Sequence, residues 1–142
     1  MKTLTRRQRF WLSLSLLWTG LWVASQWWEK GLAEPNGAPD ISPYGCYRVQ
    51  QFRPFWLLPG SFHPHPHPDD QMPTRWLVSW ESPAFFRLYD NRNGQLLGES
   101  GIYDLVNYGG PYHWGHSNAP RVSMGMIDIG PNQPDCIGDR PS

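Results

Sequence analysis

All fifteen prolines of this 142-residue chain lie beyond residue 34. Proline has no amide N–H to donate and its ring clashes with the preceding helical turn, so long helices are disfavoured in the body of the chain. The proline-free start holds, from Phe10 to Trp28, nineteen positions without a charge. As a helix this stretch rises about 28 Å, close to the hydrocarbon thickness of a bilayer. Lys2, Arg6, Arg7 and Arg9 precede it, and Glu29 and Lys30 follow. The pattern predicts a basic cytoplasmic segment over 1–9 and a transmembrane helix over 10–28 in contact with the lipid bilayer. Trp27 and Trp28 would then sit at the far headgroups. A cleaved signal peptide is the alternative, with small-residue sites at Val23-Ala24-Ser25 and Gly31-Leu32-Ala33. On either reading the rest is exported. The expected location is a single-pass bacterial inner-membrane protein with a cytoplasmic amino terminus and a periplasmic carboxyl-terminal domain.

The formal charge of zero conceals an asymmetry. From Glu34 onward there are seven Arg and no Lys against eleven Asp and Glu, which leaves the body near −4. A nucleic-acid partner is disfavoured, because counterion displacement needs a basic patch. Cys46 and Cys136 are the two cysteines, and an even count in an oxidising compartment predicts a disulfide between them. Closing a loop of about 91 residues would stabilise the fold by roughly 4–5 kcal/mol.

Residues 29–43, rich in Pro and Gly, read as a linker ahead of a β domain over 44–142. Tyr47, Val49 and Gln51 alternate with Cys46, Arg48 and Gln50, the period of a half-buried strand. Phe55-Trp56-Leu57-Leu58 reads as an edge or entry strand, and Arg75 to Glu81, with Trp76, Val78 and Trp80 on one face, as another strand. Asn93-Gly94 supplies the positive-φ residues of a tight hairpin between 85–89 and 95–99. Residues 102–108 suit either a short strand or a helical turn. Arg121 to Ile129 reads as strand-like alternation with Val122, Met124 and Met126. The expected fold class is mainly β, a transmembrane helix followed by a small antiparallel β-sandwich or partly open barrel.

Chemistry has few candidates. His63, His65 and His67 alternate with proline ahead of Asp69 and Asp70, and His113 and His116 add a second pair. Imidazoles and carboxylates suit zinc, copper or nickel. In a polyproline backbone, however, three residues make a turn and the rings radiate apart, so a solvated loop is the favoured reading. Gly115-His116-Ser117 lacks a nucleophile elbow's second glycine. Glu81, Asp90, Glu99 and Asp104 read as turn or surface acids rather than a glycosidase pair. No phosphate-binding glycine motif occurs, so no nucleotide and no other cofactor is expected. Tyr108, Tyr112, His113 and Trp114 form an aromatic loop that fits a partner-binding hot spot or, alternatively, a plug of the core.

Gly45-Cys46-Tyr47-Arg48, Leu77 to Pro83, Leu88-Tyr89-Asp90 with Gly94 and Leu97-Gly98-Glu99-Ser100, and Ile127-Asp128-Ile129-Gly130 resemble a family of small single-pass envelope proteins of enterobacterial type. That resemblance implies a location and no activity. The expectation is a periplasmic protein-binding module without chemistry of its own. An immunity-type protein against an envelope-targeting toxin, or an accessory subunit of an envelope assembly, would be its concrete forms. A metal-binding protein or metal-dependent hydrolase using the histidines is the alternative.

Overall fold

The computed structural model describes residues 5–57, 63, 67–69, 82–106, 108–115 and 120–132. The predicted strand over 75–81, with Trp76 and Trp80, lies outside them, as do His65, His116 and Cys136. The proline-free start is one helix, α1 (Arg6–Gly31), opened by a capping box in which Thr5 and Gln8 satisfy each other's backbone N–H. Among the described residues nine short strands follow: β1 (Glu34–Pro35), β2 (Asp40–Ile41), β3 (Tyr47–Arg53), β4 (Pro83–Asp90), β5 (Leu96–Glu99), β6 (Tyr103–Asp104), β7 (Tyr112–His113), β8 (Arg121–Met124) and β9 (Ile127–Pro131). They form two antiparallel sheets. In the larger the order is β1-β3-β4-β5, with β2 also on β3 and β6 also on β4; in the smaller it is β7-β8-β9.

The transmembrane expectation is overturned. Among the described residues no helix is long and apolar enough to cross a membrane. The leucines of α1 are diluted by Ser13, Ser15, Thr19, Ser25 and Gln26 and by indoles that each carry an N–H. Its last turns are also committed elsewhere, for Ser25 and Glu29 are buried. The single-pass inner-membrane placement, with its cytoplasmic start and periplasmic domain, falls with that helix. In place of a mainly β chain built as a membrane helix plus sandwich or barrel, the fold is a mixed one, a helix joined to two antiparallel sheets.

The two central strands bury both faces. Toward the smaller sheet, Tyr47, Val49, Phe86 and Leu88 meet Val122, Met124, Ile127 and Ile129. On the other side Phe52, Phe85 and Ile102 form a second cluster, with Ala33 and Trp56 packed on it. Hence Phe52, not Gln51, is the third buried residue of β3, and Ala84, Phe85 and Phe86 are buried in succession. Glu34–Pro35 and Asp40–Ile41, inside the expected linker, pair with β3. Phe55 to Leu57 is not a strand, because its polar groups go to the end of α1 as described below.

The hairpin at Asn93-Gly94 forms, with Gly94 at φ 75° and its N–H donating to the Asp90 carbonyl. Arg121 to Ile129 is a hairpin instead of one strand. Gly125, at φ 56°, turns the chain and leaves Met126 exposed. Buried Asp90 accepts hydrogen bonds from Arg92 Nε and Nη2 at 3.0 and 2.7 Å, and these hold its carboxyl below its ordinary pKa. Tyr47 Oη donates to Asn132 Oδ1 at 2.9 Å, tying β3 to the end of β9. Next to it Cys46 is disulfide-bonded; the expected partner, Cys136, falls outside the described residues.

The sheets approach most closely at two glycines. A Cβ on Gly98 would meet Ile129 O and lie 2.7 Å from Gly130 Cα, which is backbone and unable to swing aside. Gly98→Ala is therefore expected to lower the free energy of unfolding by about 1–3 kcal/mol, the range for overpacking a core. Urea unfolding curves measure it, and unchanged stability would show that the sheets can part at this point.

Candidate functional site

Among the described residues, the body of the protein grips α1 at its end. Glu29 Oε1 accepts from Trp56 Nε1 at 2.9 Å, and the Glu29 carbonyl accepts from Phe55 N at 2.9 Å. The His63 ring stacks on Trp56, centroids 4.7 Å apart and planes within 6°, and its Nδ1 lies 3.8 Å from Glu29 Oε2. Glu29 and His63 are 3% and 2% exposed. One residue on, Lys30 Nζ donates to Glu99 Oε1 at 2.7 Å and to Ser100 O at 2.8 Å. Arg87 Nε donates to the other Glu99 oxygen at 2.7 Å, and Arg87 Nη2 to the Lys30 carbonyl at 2.8 Å. A cation on a carbonyl of the last turn complements the negative end of the helix dipole. Arg87 also lies over the Phe52 and Phe85 rings, so the polar clamp and the second core cluster share a side chain. Burial by itself would raise the Glu99 pKa, but the hydrogen bonds from Lys30 and Arg87 outweigh it and hold the carboxyl below its ordinary value.

Ahead of the clamp the helix is exposed. Every residue from Thr5 to Val23 is exposed. Apolar side chains surround the axis: Phe10, Leu14, Leu17 and Leu21 follow one helical stripe, Trp11, Trp18 and Trp22 a second, and Leu16, Val23 and Trp27 a third. Trp18 is 63% and Trp27 81% exposed. Large apolar side chains exposed on three sides of a helix favour surroundings that cover them. Where it leaves the domain, Trp18, Leu21, Trp22 and Trp28 line an apolar slot closed by Leu57. On another face Leu16, Thr19, Gly20, Val23, Ala24 and Trp27 border a shallow groove.

The residues singled out from the sequence scatter. Tyr108, Tyr112 and Trp114 are partly buried and pack against the main core, Tyr112 edge-on to Phe86 at 6.1 Å. Burial, and then the neighbouring Asp40 carboxylate, push the Tyr112 hydroxyl up to about 12. Tyr108 Oη accepts from Met126 N at 2.8 Å, bracing the β8–β9 turn. Of the four, only His113 is exposed, beside the surface pair Arg121 and Asp128. The three described histidines occupy separate places: His63 in the clamp, His67 edge-on to Tyr108, and His113 on β7. Among the described residues no group of three His, Cys, Asp or Glu is placed to hold a metal ion. Asp90 is a buried acid paired with Arg92, and Glu99, exposed at the end of β5, is paired with Lys30 and Arg87.

The clamp was not anticipated. Its sequence trace is the pair Glu29-Lys30 closing the uncharged run, which a membrane reading takes for a flank. Glu99→Gln is expected to loosen the end of α1 and to destabilise the protein at neutral pH by about 1 kcal/mol, the scale of a partly exposed ion pair. A carboxyl whose pKa is lowered on folding contributes its stability above the ordinary value and loses it as pH falls through the folded value. The deficit of the variant should therefore vanish in acid. Parallel urea unfolding at neutral and acid pH, with amide exchange over 24–31, tests this; an equal deficit at both would remove the ion pairs from the clamp.

No family model, no curated protein and no solved structure matches this chain, so function is argued from its own residues.

Proposed function

We propose that this chain is a protein-binding module without chemistry of its own, and that its binding element is the free part of α1, residues 10–23. The observation that supports this is the exposure of large apolar side chains along that whole stretch, on a helix held firmly at one end. Exposed apolar patches beyond a few hundred Å² mark interaction surfaces. A helix presenting anchors at i, i+4, i+7 and i+11, here Phe10, Leu14, Leu17 and Leu21, suits the hydrophobic groove of another protein. The clamp supports the reading from the other side. By fixing residues 29 and 30 to the sheet it presents the helix in a set direction, which reduces the ordering cost of docking.

The test uses the full chain with Leu14→Gln, Leu17→Gln and Leu21→Gln together, all at exposed positions, with glutamine retaining good helix propensity. Affinity purification with quantitative mass spectrometry should recover a stoichiometric protein partner with the native chain. The triple variant should lose at least about tenfold in recovery, equivalent to roughly 1.4 kcal/mol, with its thermal unfolding unchanged. His113→Ala should recover the partner normally. Undiminished recovery with the triple variant, or no partner for the native chain, would overturn the proposal.

A further inference from the structure

We infer that the protein which takes up the leucine stripe of α1 is acidic at one end of its groove, where Asp and Glu side chains meet Arg6 and Arg7. The inference rests on the reading of α1 as a binding element and names the chemistry of its partner.

Arg6 and Arg7 stand four and three residues before Phe10, the spacings at which helical side chains share a side, and Leu14, Leu17 and Leu21 continue the line at the same spacings. One side of the helix is therefore basic at its start and apolar for about the next three turns. Arg9, next to Phe10 in sequence, lies on another side. All three arginines are exposed, and none takes part in an ion pair of the described residues. No acid occupies the first turn of the helix. The carboxylates of the clamp do not neutralise them either. About 30 Å of helix separates Arg7 from Glu29, several times the Debye length of roughly 8 Å at physiological salt.

The pattern selects among occupants. A basic cluster that runs directly into an apolar stripe is matched by a protein groove that is apolar along its floor and carboxylate-lined at one end. A nucleic acid would offer phosphates to the arginines but no apolar groove to the leucines. A lipid surface takes a helix with one apolar and one polar side, whereas α1 carries large apolar side chains on three sides. Carboxylates at one end of the groove would also fix which way the helix lies in it and draw the two proteins together before the apolar contacts form.

The test uses the full chain with the photo-cross-linker p-benzoylphenylalanine in place of Phe10 or of Leu17, both exposed. After irradiation in the cells that make the protein, the linked peptides are identified by mass spectrometry. Links from position 10 should land on a partner segment with a surplus of Asp and Glu, and links from position 17 on an apolar segment of the same protein. Arg6→Glu with Arg7→Glu should lower recovery of that protein at least about tenfold at about 50 mM salt, with the gap closing at about 500 mM, where exposed charges are screened. Acids in the first turn favour the helix, so this variant keeps its fold. Arg9→Glu should cost less. Links from position 10 to a neutral or basic segment would overturn the inference, as would undiminished recovery with the double variant or an equal loss with Arg9→Glu. Flotation of the chain with vesicles of phosphatidylglycerol and phosphatidylcholine, abolished by the double variant, would give the arginines to lipid and also overturn it. A protein lost with Leu14→Gln, Leu17→Gln and Leu21→Gln but kept by the arginine variant would refute the acidic groove and leave the binding proposal standing. No linked protein at either position would overturn both.

Discussion

The carboxylate of Glu99, held between Lys30 on the helix and Arg87 on the central sheet, decides where α1 belongs to the body of the protein and where it leaves it. Arg87 links three things at once: the Glu99 oxygen, the Lys30 carbonyl and the faces of Phe52 and Phe85. Charge-assisted bonds of this kind are short and directional, and here they sit over the rings of Phe52 and Phe85. The helix end is thus the lid of the second core cluster as well as the base of the free segment. Exposing or loosening it would uncover Phe52 and Phe85 at the same time.

That arrangement explains why the larger sheet can bury both faces of β3 and β4 with so few residues. The smaller sheet covers one face, and its approach at Gly98 and Gly130 is close enough that neither position has room for a Cβ without a shift. Ala33, Trp56 and Tyr89 pack against the other face, and the Arg87 guanidinium lies over its Phe52 and Phe85 rings. Glu29 is taken out of water in the process, and the bond its carboxylate accepts from Trp56 Nε1 offsets part of the cost of burying it.

Local signals were readable and long-range ones were not. Asn93-Gly94 announces its turn because positive φ is a property of those residues themselves, and the hairpin is there. Met126 was misplaced for a related reason. The alternation Val122, Met124, Met126 runs unbroken in sequence, yet Gly125 takes a left-handed conformation and breaks it. Phe52 and Phe85 defeat a period of two because a strand covered on both sides has no polar face to alternate with. The uncharged run 10–28 was legible as a helix, but charge absence was taken for apolarity, and serines, threonine, glutamine and indoles separate the two. The clamp joins residues 26 to 70 positions apart in sequence. No periodicity encodes such a pairing, and only Glu29-Lys30 hinted at it.

A helix with exposed apolar stripes on three sides poses a problem that a single groove does not solve. A groove that takes up Phe10, Leu14, Leu17 and Leu21 covers little more than about 100° of the surface, so Trp11, Trp18 and Trp22 on one flank and Leu16, Val23 and Trp27 on the other stay outside it. The polar side chains between those stripes, Ser13, Ser15 and Thr19, temper that exposure without removing it. A partner would therefore gain by reaching more than one side of the helix, and the clamp at Glu29 and Lys30, by holding the base in place, leaves that surface accessible along its length.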